Sequence, residues 1–139
     1  MASDKAPVMA TKIASEDMNT DDHPTYRYLA VALVPGTEGQ VAFTNGITEP
    51  VYGSLYDGSN AESGEQVSIA VGGGQVLFRF GETLVPGQSV GGSADGELAL
   101  IESTDYTAIP CGRVVEGAGD GEVGSINMDA VSSPIVKSA

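Results

Sequence analysis

The chain has 139 residues, 41% hydrophobic and 6% aromatic with no Trp, which suits one modest core and is short for two ordinary domains. Six Lys and Arg against 19 Asp and Glu give a net charge of -13, which leaves no cationic face for nucleic acid phosphates or anionic membranes. The single Cys111 precludes an internal disulfide and a cysteine-based zinc site. No stretch approaches the ~20 apolar residues of a membrane helix. The start Met1-Ala2-Ser3-Asp4-Lys5 lacks the basic-then-apolar pattern of a secretory leader, so synthesis in the cytoplasm is expected.

Residues 1–27 contain no glycine and read as an extended N-terminal arm, ending in the polar loop Asn19-Thr20-Asp21-Asp22-His23-Pro24. Met9 to Met18 is the best helical candidate, enough for one or two turns. From residue 28 to 128 the pattern is β. Tyr28–Val34 is a short apolar run stopped by Pro35-Gly36, as expected of a buried strand. Gln40–Thr44 alternates polar and apolar and ends at Asn45-Gly46, a hairpin signal. Val51–Tyr56 follows, closed by Asp57-Gly58. Gln66–Val71 alternates, and Gly72-Gly73-Gly74 joins it to Gln75–Phe80, which predicts a second hairpin. Leu98–Ile101, Gly112–Val115 and Glu122–Met128 complete about eight strands, and residues 129–139 read as a tail. Short strands joined by Gly, Asp and Asn turns predict an all-β fold, a small antiparallel β-barrel or β-sandwich. Val34-Pro35-Gly36 and Val85-Pro86-Gly87 echo one another, as do Asp95-Gly96-Glu97 and Asp120-Gly121-Glu122. No fixed period sustains either echo, which points to reuse of turn chemistry.

Residues able to carry chemistry are few. A thiolate at Cys111 would be a nucleophile, but the only histidine, His23, is far off in the predicted arm, so a buried structural thiol is the simpler expectation. His23 beside Asp21 and Asp22 offers too few ligands for a transition metal and is expected to be solvated. The turns at Asp57, Asp95 and Asp120 supply oxygen ligands but lack the acidic spacing of a calcium loop, and each is explained as a β-turn. Gly72–Gly74 is followed by no Lys-Ser/Thr and no helix, so a phosphate cradle fails on context. Paired acids such as Glu62/Glu65 and Glu116/Asp120 read as hydrated surface. No catalytic residue, cofactor site or metal site is expected.

The ordered elements Gly64-Glu65-Gln66-Val67-Ser68-Ile69, Gly74-Gln75-Val76, Leu84-Val85-Pro86-Gly87-Gln88-Ser89-Val90, Gly112-Arg113-Val114 and Gly121-Glu122-Val123-Gly124-Ser125-Ile126 resemble the capsid decoration (cement) proteins of tailed phages. The resemblance covers residues 64–128 well and 40–63 loosely; the first 27 residues match nothing in it. It implies a small β-barrel that binds the outer surface of an expanded icosahedral shell, commonly as a homotrimer, and stabilises it by bridging major capsid protein subunits. It implies no catalysis and no cofactor. A long arm would lay apolar side chains on a neighbour, with Val8, Met9, Ile13 and Met18 as candidate contacts. The acidity would keep many copies soluble before assembly and equally suits a high-salt habitat. The competing reading is a calcium- or glycan-binding β module of a surface assembly, using the acidic turns and Tyr26, Tyr28, Tyr52, Tyr56 and Tyr106. An enzyme using Cys111 is the third.

Overall fold

A computed structural model describes residues 8–72, 75–102, 104 and 107–128. Among them are ten strands: β1 (Val8–Ala14), β2 (Ala30–Leu33), β3 (Gln40–Phe43), β4 (Gly53–Asp57), β5 (Gln66–Gly72), β6 (Gln75–Arg79), β7 (Ser89–Gly92), β8 (Leu98–Leu100), β9 (Gly112–Glu116) and β10 (Val123–Asn127). A three-residue 3-10 turn, Pro24–Tyr26, lies between β1 and β2. The fold is therefore all-β, and alternating burial along the strands explains it. In β6, for example, Val76 and Phe78 are buried while Gln75, Leu77 and Arg79 are half-buried.

The strands form two five-stranded groups. The first closes into a barrel in the order β1-β3-β2-β4-β5, and the second is a sheet in the order β6-β10-β9-β7-β8. A parallel bridge from Phe80 to Leu98 ties the two edge strands of the second sheet together. Each group has its own core. Met18, Val31, Val41, Leu55 and Ile69 fill the first. Phe78, Phe80, Leu84, Val90, Leu98 and Ile126 fill the second, where Ala30 and Ala70 of the first group also pack.

These groups are two copies of one topology. In the first, β1 pairs with β5 and, in parallel, with β3, while β2 pairs with β3 and β4, and β4 with β5. In the second, β6 pairs with β10 and, through the Phe80–Leu98 bridge, in parallel with β8. Likewise β7 pairs with β8 and β9, and β9 with β10. Registers repeat as well, with Val31 opposite Gly53 and Val90 opposite Gly112. The same bulge interrupts both closing pairs: Leu55 faces Ile69 and then Asp57 faces Ser68, as Val114 faces Ile126 and then Glu116 faces Ser125.

Individual hydrogen bonds coincide too. Ala14 N–H donates to Glu65 O at 2.8 Å, and Phe80 N–H to Glu122 O at 2.8 Å. Gly64 N–H donates to Ala14 O and Gly121 N–H to Phe80 O, both at 2.7 Å. Gly64 and Gly121 hold φ of 94° and 81°, the left-handed turn that glycine permits without a Cβ clash. Met18 bonds Ala61 at 3.1 Å as Leu84 bonds Ala118 at 3.0 Å. The tandem repeat is not the one echoed in the sequence. Val34 N–H bonds Gln40 O as Ser93 N–H bonds Glu97 O, so Val34 matches Ser93 and not Val85. Both Asp-Gly-Glu turns lie in the second unit, which leaves those echoes as turn chemistry used again. No fixed period is visible because insertions shift the interval, from 66 residues between Ala14 and Phe80 to 57 between Gly39 and Gly96. A chain short for two ordinary domains holds two very small units.

Three local expectations are corrected. Residues 8–14 are not arm or helix but a barrel strand, since β1 pairs with β5 along Val8–Ile13 and with β3 at Ile13 and Ala14. This makes the fold mixed rather than purely antiparallel. The segment that follows is held as well: Met18 is fully buried, and Asn19 Oδ1 accepts from the amides of Asp21 (2.9 Å), Asp22 (3.3 Å) and Asn60 (3.1 Å). The two predicted hairpins are also absent. β3 pairs with β1 and β2 and not with β4, while β5 and β6 lie in different sheets, so Gly72 ends one unit where the chain passes to the next. Residues 1–7, Gly73, Gly74, Tyr106 and the tail 129–139 lie outside the described residues.

Candidate interaction surface

The four candidate contact residues separate. Val8 and Met9 are 55% and 45% exposed on β1, Ile13 is half-buried, and Met18 is 0% exposed in the first core. Met18 therefore cannot serve as a contact; its counterpart Leu84 is buried likewise in the second unit. β1 carries no acidic residue in a chain with 19 of them. Its Lys12 ammonium lies 5.4 Å from the centre of the Tyr52 ring, a cation–π distance. Among the described residues the other exposed large apolar side chains are Leu33, Val85 and Ile109. Leu33 borders an apolar depression of about 260 Å³ with Pro35, Pro50, Val51 and Tyr52. A wider cleft of about 530 Å³ is lined by Glu16, Asp17, Tyr26, Phe43 and Asp95.

The residues considered for chemistry are accounted for locally. Cys111 is buried in the second core, and burial pushes its thiol up to about 12, so the nucleophilic thiolate is suppressed at neutral pH. A colourless-to-coloured thiol reagent should leave the native protein unlabelled at pH 8 and label one thiol per chain in denaturant. Prompt labelling of the folded protein would contradict this burial. His23 is less free than expected: its Nε2 lies 3.5 Å from Asp17 Oδ2 and its ring stacks on Tyr26 at 4.4 Å. Tyr26 in turn meets Phe43 edge-on at 5.2 Å. The acidic turns are backbone devices. Asp57 Oδ1 accepts from the Ser59 amide at 3.0 Å, and Asp95 sits at φ 66° before Gly96 at 82°. Among the described residues no group of three or more His, Cys, Asp or Glu is placed to hold a metal ion.

Sequence reasoning missed the contact between the two units. Ser54 Oγ donates to Leu77 O at 2.6 Å, and the Tyr56 phenol hydrogen-bonds to the Leu77 backbone, with burial pushing that phenol above its usual range. Arg79 N–H donates to Tyr28 O at 2.8 Å, while its guanidinium reaches Gly121 O at 2.9 Å and Arg27 O at 3.3 Å. No sequence motif announces such a contact, because a backbone carbonyl can be offered by any residue.

No family model and no curated protein matches this chain. Among solved structures, the head fiber gp8.5 N base of bacteriophage phi29 is similar over 88% of this chain and 94% of that one, with a TM-score of 0.65 and 14% identity. At that identity the likeness establishes a shared fold.

Proposed function

We propose that this chain is a structural protein of a tailed-phage virion, seated on the outside of the head and bound to the major capsid protein. The observation that carries this reading is the near-complete mutual coverage with a phage head fiber base at a TM-score of 0.65. The ordered glycine and β elements that resemble cement proteins point the same way. On this reading the protein decorates the expanded shell as a homotrimer, strengthens it by bridging neighbouring subunits, and performs no catalysis. The surface chemistry is compatible: an overall charge of -13 keeps free copies apart, and the acid-free strand β1 offers exposed Val8 and Met9 for contact.

Mixing the purified protein with expanded, undecorated shells of the cognate phage tests it. Bound copies should saturate at a fixed number per shell, and Val8→Asp with Met9→Asp should reduce that binding at least tenfold. Decorated shells should also withstand heating better than bare ones if subunits are bridged; equal heat resistance would leave attachment without cementing. Protein that stays in the supernatant at every concentration would overturn the proposal.

A further inference from the structure

The two units differ in what covers one end of each. Lys12 stands two residues before Ala14 as Phe78 stands two before Phe80, and Leu33 follows Val31 as Gly92 follows Val90. Tyr52 is the counterpart of Cys111, since Tyr52 N–H donates to Val31 O as Cys111 N–H donates to Val90 O, both at 2.8 Å. Phe78, Gly92 and Cys111 are all buried, with residues of the first unit packed against them. Ala30 and Ala70 lie in the core that holds Phe78 and Cys111, and a Cβ on Gly92 would come within 2.6 Å of Thr44 Oγ1. At the same end of the first unit Leu33 is exposed, and Lys12 and Tyr52 are half-buried. A surface that takes a protein cover in one unit is thus left open in the other.

A terminal unit that meets only water carries a polar outer face. This end is apolar instead, with Leu33, Pro35, Pro50, Val51 and Tyr52 around a depression of about 260 Å³. Its charge also lacks a counterpart. Arg27, Arg79 and Arg113 each donate to backbone carbonyls, Arg113 Nη1 to Gly87 O at 3.0 Å. Among the described residues no carboxylate stands within ion-pair distance of Lys12, which meets the Tyr52 ring alone. Glu49 lines the depression, but its Oε1 accepts from the Asn45 N–H at 2.8 Å. In a chain with 19 acids and six bases, a half-buried ammonium without an acid suits a carboxylate brought from outside. We propose that this end of the first barrel receives a protein partner, through a segment that sets an Asp or Glu on Lys12 and an apolar side chain in the depression beside Leu33 and Tyr52. The inference rests on the virion reading, under which that partner is the major capsid protein. Val8 and Met9, exposed on the same strand as Lys12, continue the contact.

Cosedimentation of fluorescently labelled protein with expanded, undecorated shells of the cognate phage tests it. Leu33→Asp should weaken binding by about thirtyfold, as loss of a central apolar anchor does. Lys12→Glu should weaken it by about tenfold or more, since two carboxylates would then face each other. Lys12→Met keeps the apolar stem and removes the charge. It should bind about fivefold more weakly than wild type at roughly 20 mM salt, and the gap should narrow towards about 0.5 M as the ion pair is screened. Val85→Asp and Ile109→Asp, exposed apolar positions of the second unit, should bind as wild type does. If Lys12→Glu fails to fold by circular dichroism, Leu33→Asp and Lys12→Met carry the test. Wild-type binding that Leu33→Asp and the Lys12 variants leave unchanged overturns this inference while the virion reading stands. A Lys12→Met deficit that stays constant with salt overturns the carboxylate. Wild-type protein that does not bind the shells overturns both readings.

Discussion

Replacing Phe80 by alanine should destabilise the protein by about 3–5 kcal/mol, the range for deleting a fully buried aromatic ring. Phe80 has no accessible surface, and its ring fills the space left by Gly124, where an added Cβ would overlap Cζ and Cε2. The repeat shows the other solution to the same packing problem. Ala14 and Val67 stand where Phe80 and Gly124 do, both buried, so a small residue on the first strand meets a large one on the last. Gly124→Val alone should be severe, because it meets the ring and also Glu116 O at 2.5 Å. In the Phe80→Ala background the ring is gone and only the carbonyl contact remains. The double variant should therefore be more stable than the sum of the two losses by about 1–3 kcal/mol, the coupling expected of residues in direct contact. Urea unfolding of the four proteins measures it. Additive losses would show that the two units do not share this packing logic.

Gly53→Ala and Gly112→Ala should each cost about 3 kcal/mol and should cost the same within error, overpacking being the cause. A Cβ at Gly53 would overlap Ala70 O and lie 2.7 Å from Ile69 Cγ2. At Gly112 it would lie 2.5 Å from Asn127 O and 2.7 Å from Ile126 Cγ2. In both cases one obstacle is backbone, which cannot rotate away as a side chain end can. Gly46→Ala, with nothing within 4 Å, serves as the control and should change stability by less than about 0.5 kcal/mol. The equality of the two core losses tests the repeat more sharply than their size. A neutral Gly53→Ala would mean that β4 and β5 sit farther apart than described.

Eight of the ten strands are legible in the sequence, and the two that are not have different causes. β7 (Ser89–Gly92) contains Gly91-Gly92, which reads as a turn. In the structure these glycines are flat contact points: a Cβ on Gly91 would press Ile101 Cδ1 at 2.8 Å, and one on Gly92 would press the Thr44 side chain at 2.6 Å. Glycine marks close approach as well as turning, and the sequence alone does not separate the two. β1 lacks glycine and flanking turns, and Met9 and Ile13, four residues apart, favour a helical period that the structure does not adopt. Its strand geometry comes from β5, which supplies six cross-strand partners between Val8 and Ile13.

The candidate contacts Val8, Met9, Ile13 and Met18 read alike in the sequence as apolar side chains of one segment, and only the structure separates exposed Val8 and Met9 from buried Met18. An isolated methionine carries no record of which side of a barrel wall it faces. The all-β class, most strand positions, the structural character of Cys111 and the turn role of the acidic residues were determined by the sequence itself, because alternation and left-handed turns are local properties of neighbouring residues. Which strands pair, that β5 and β6 part company, that the chain is a tandem of two like units, and that Arg113 faces Gly87 were decided only by the tertiary structure. Those outcomes depend on contacts between residues tens of positions apart, where any strand edge could accept any other until packing of the two cores selects one.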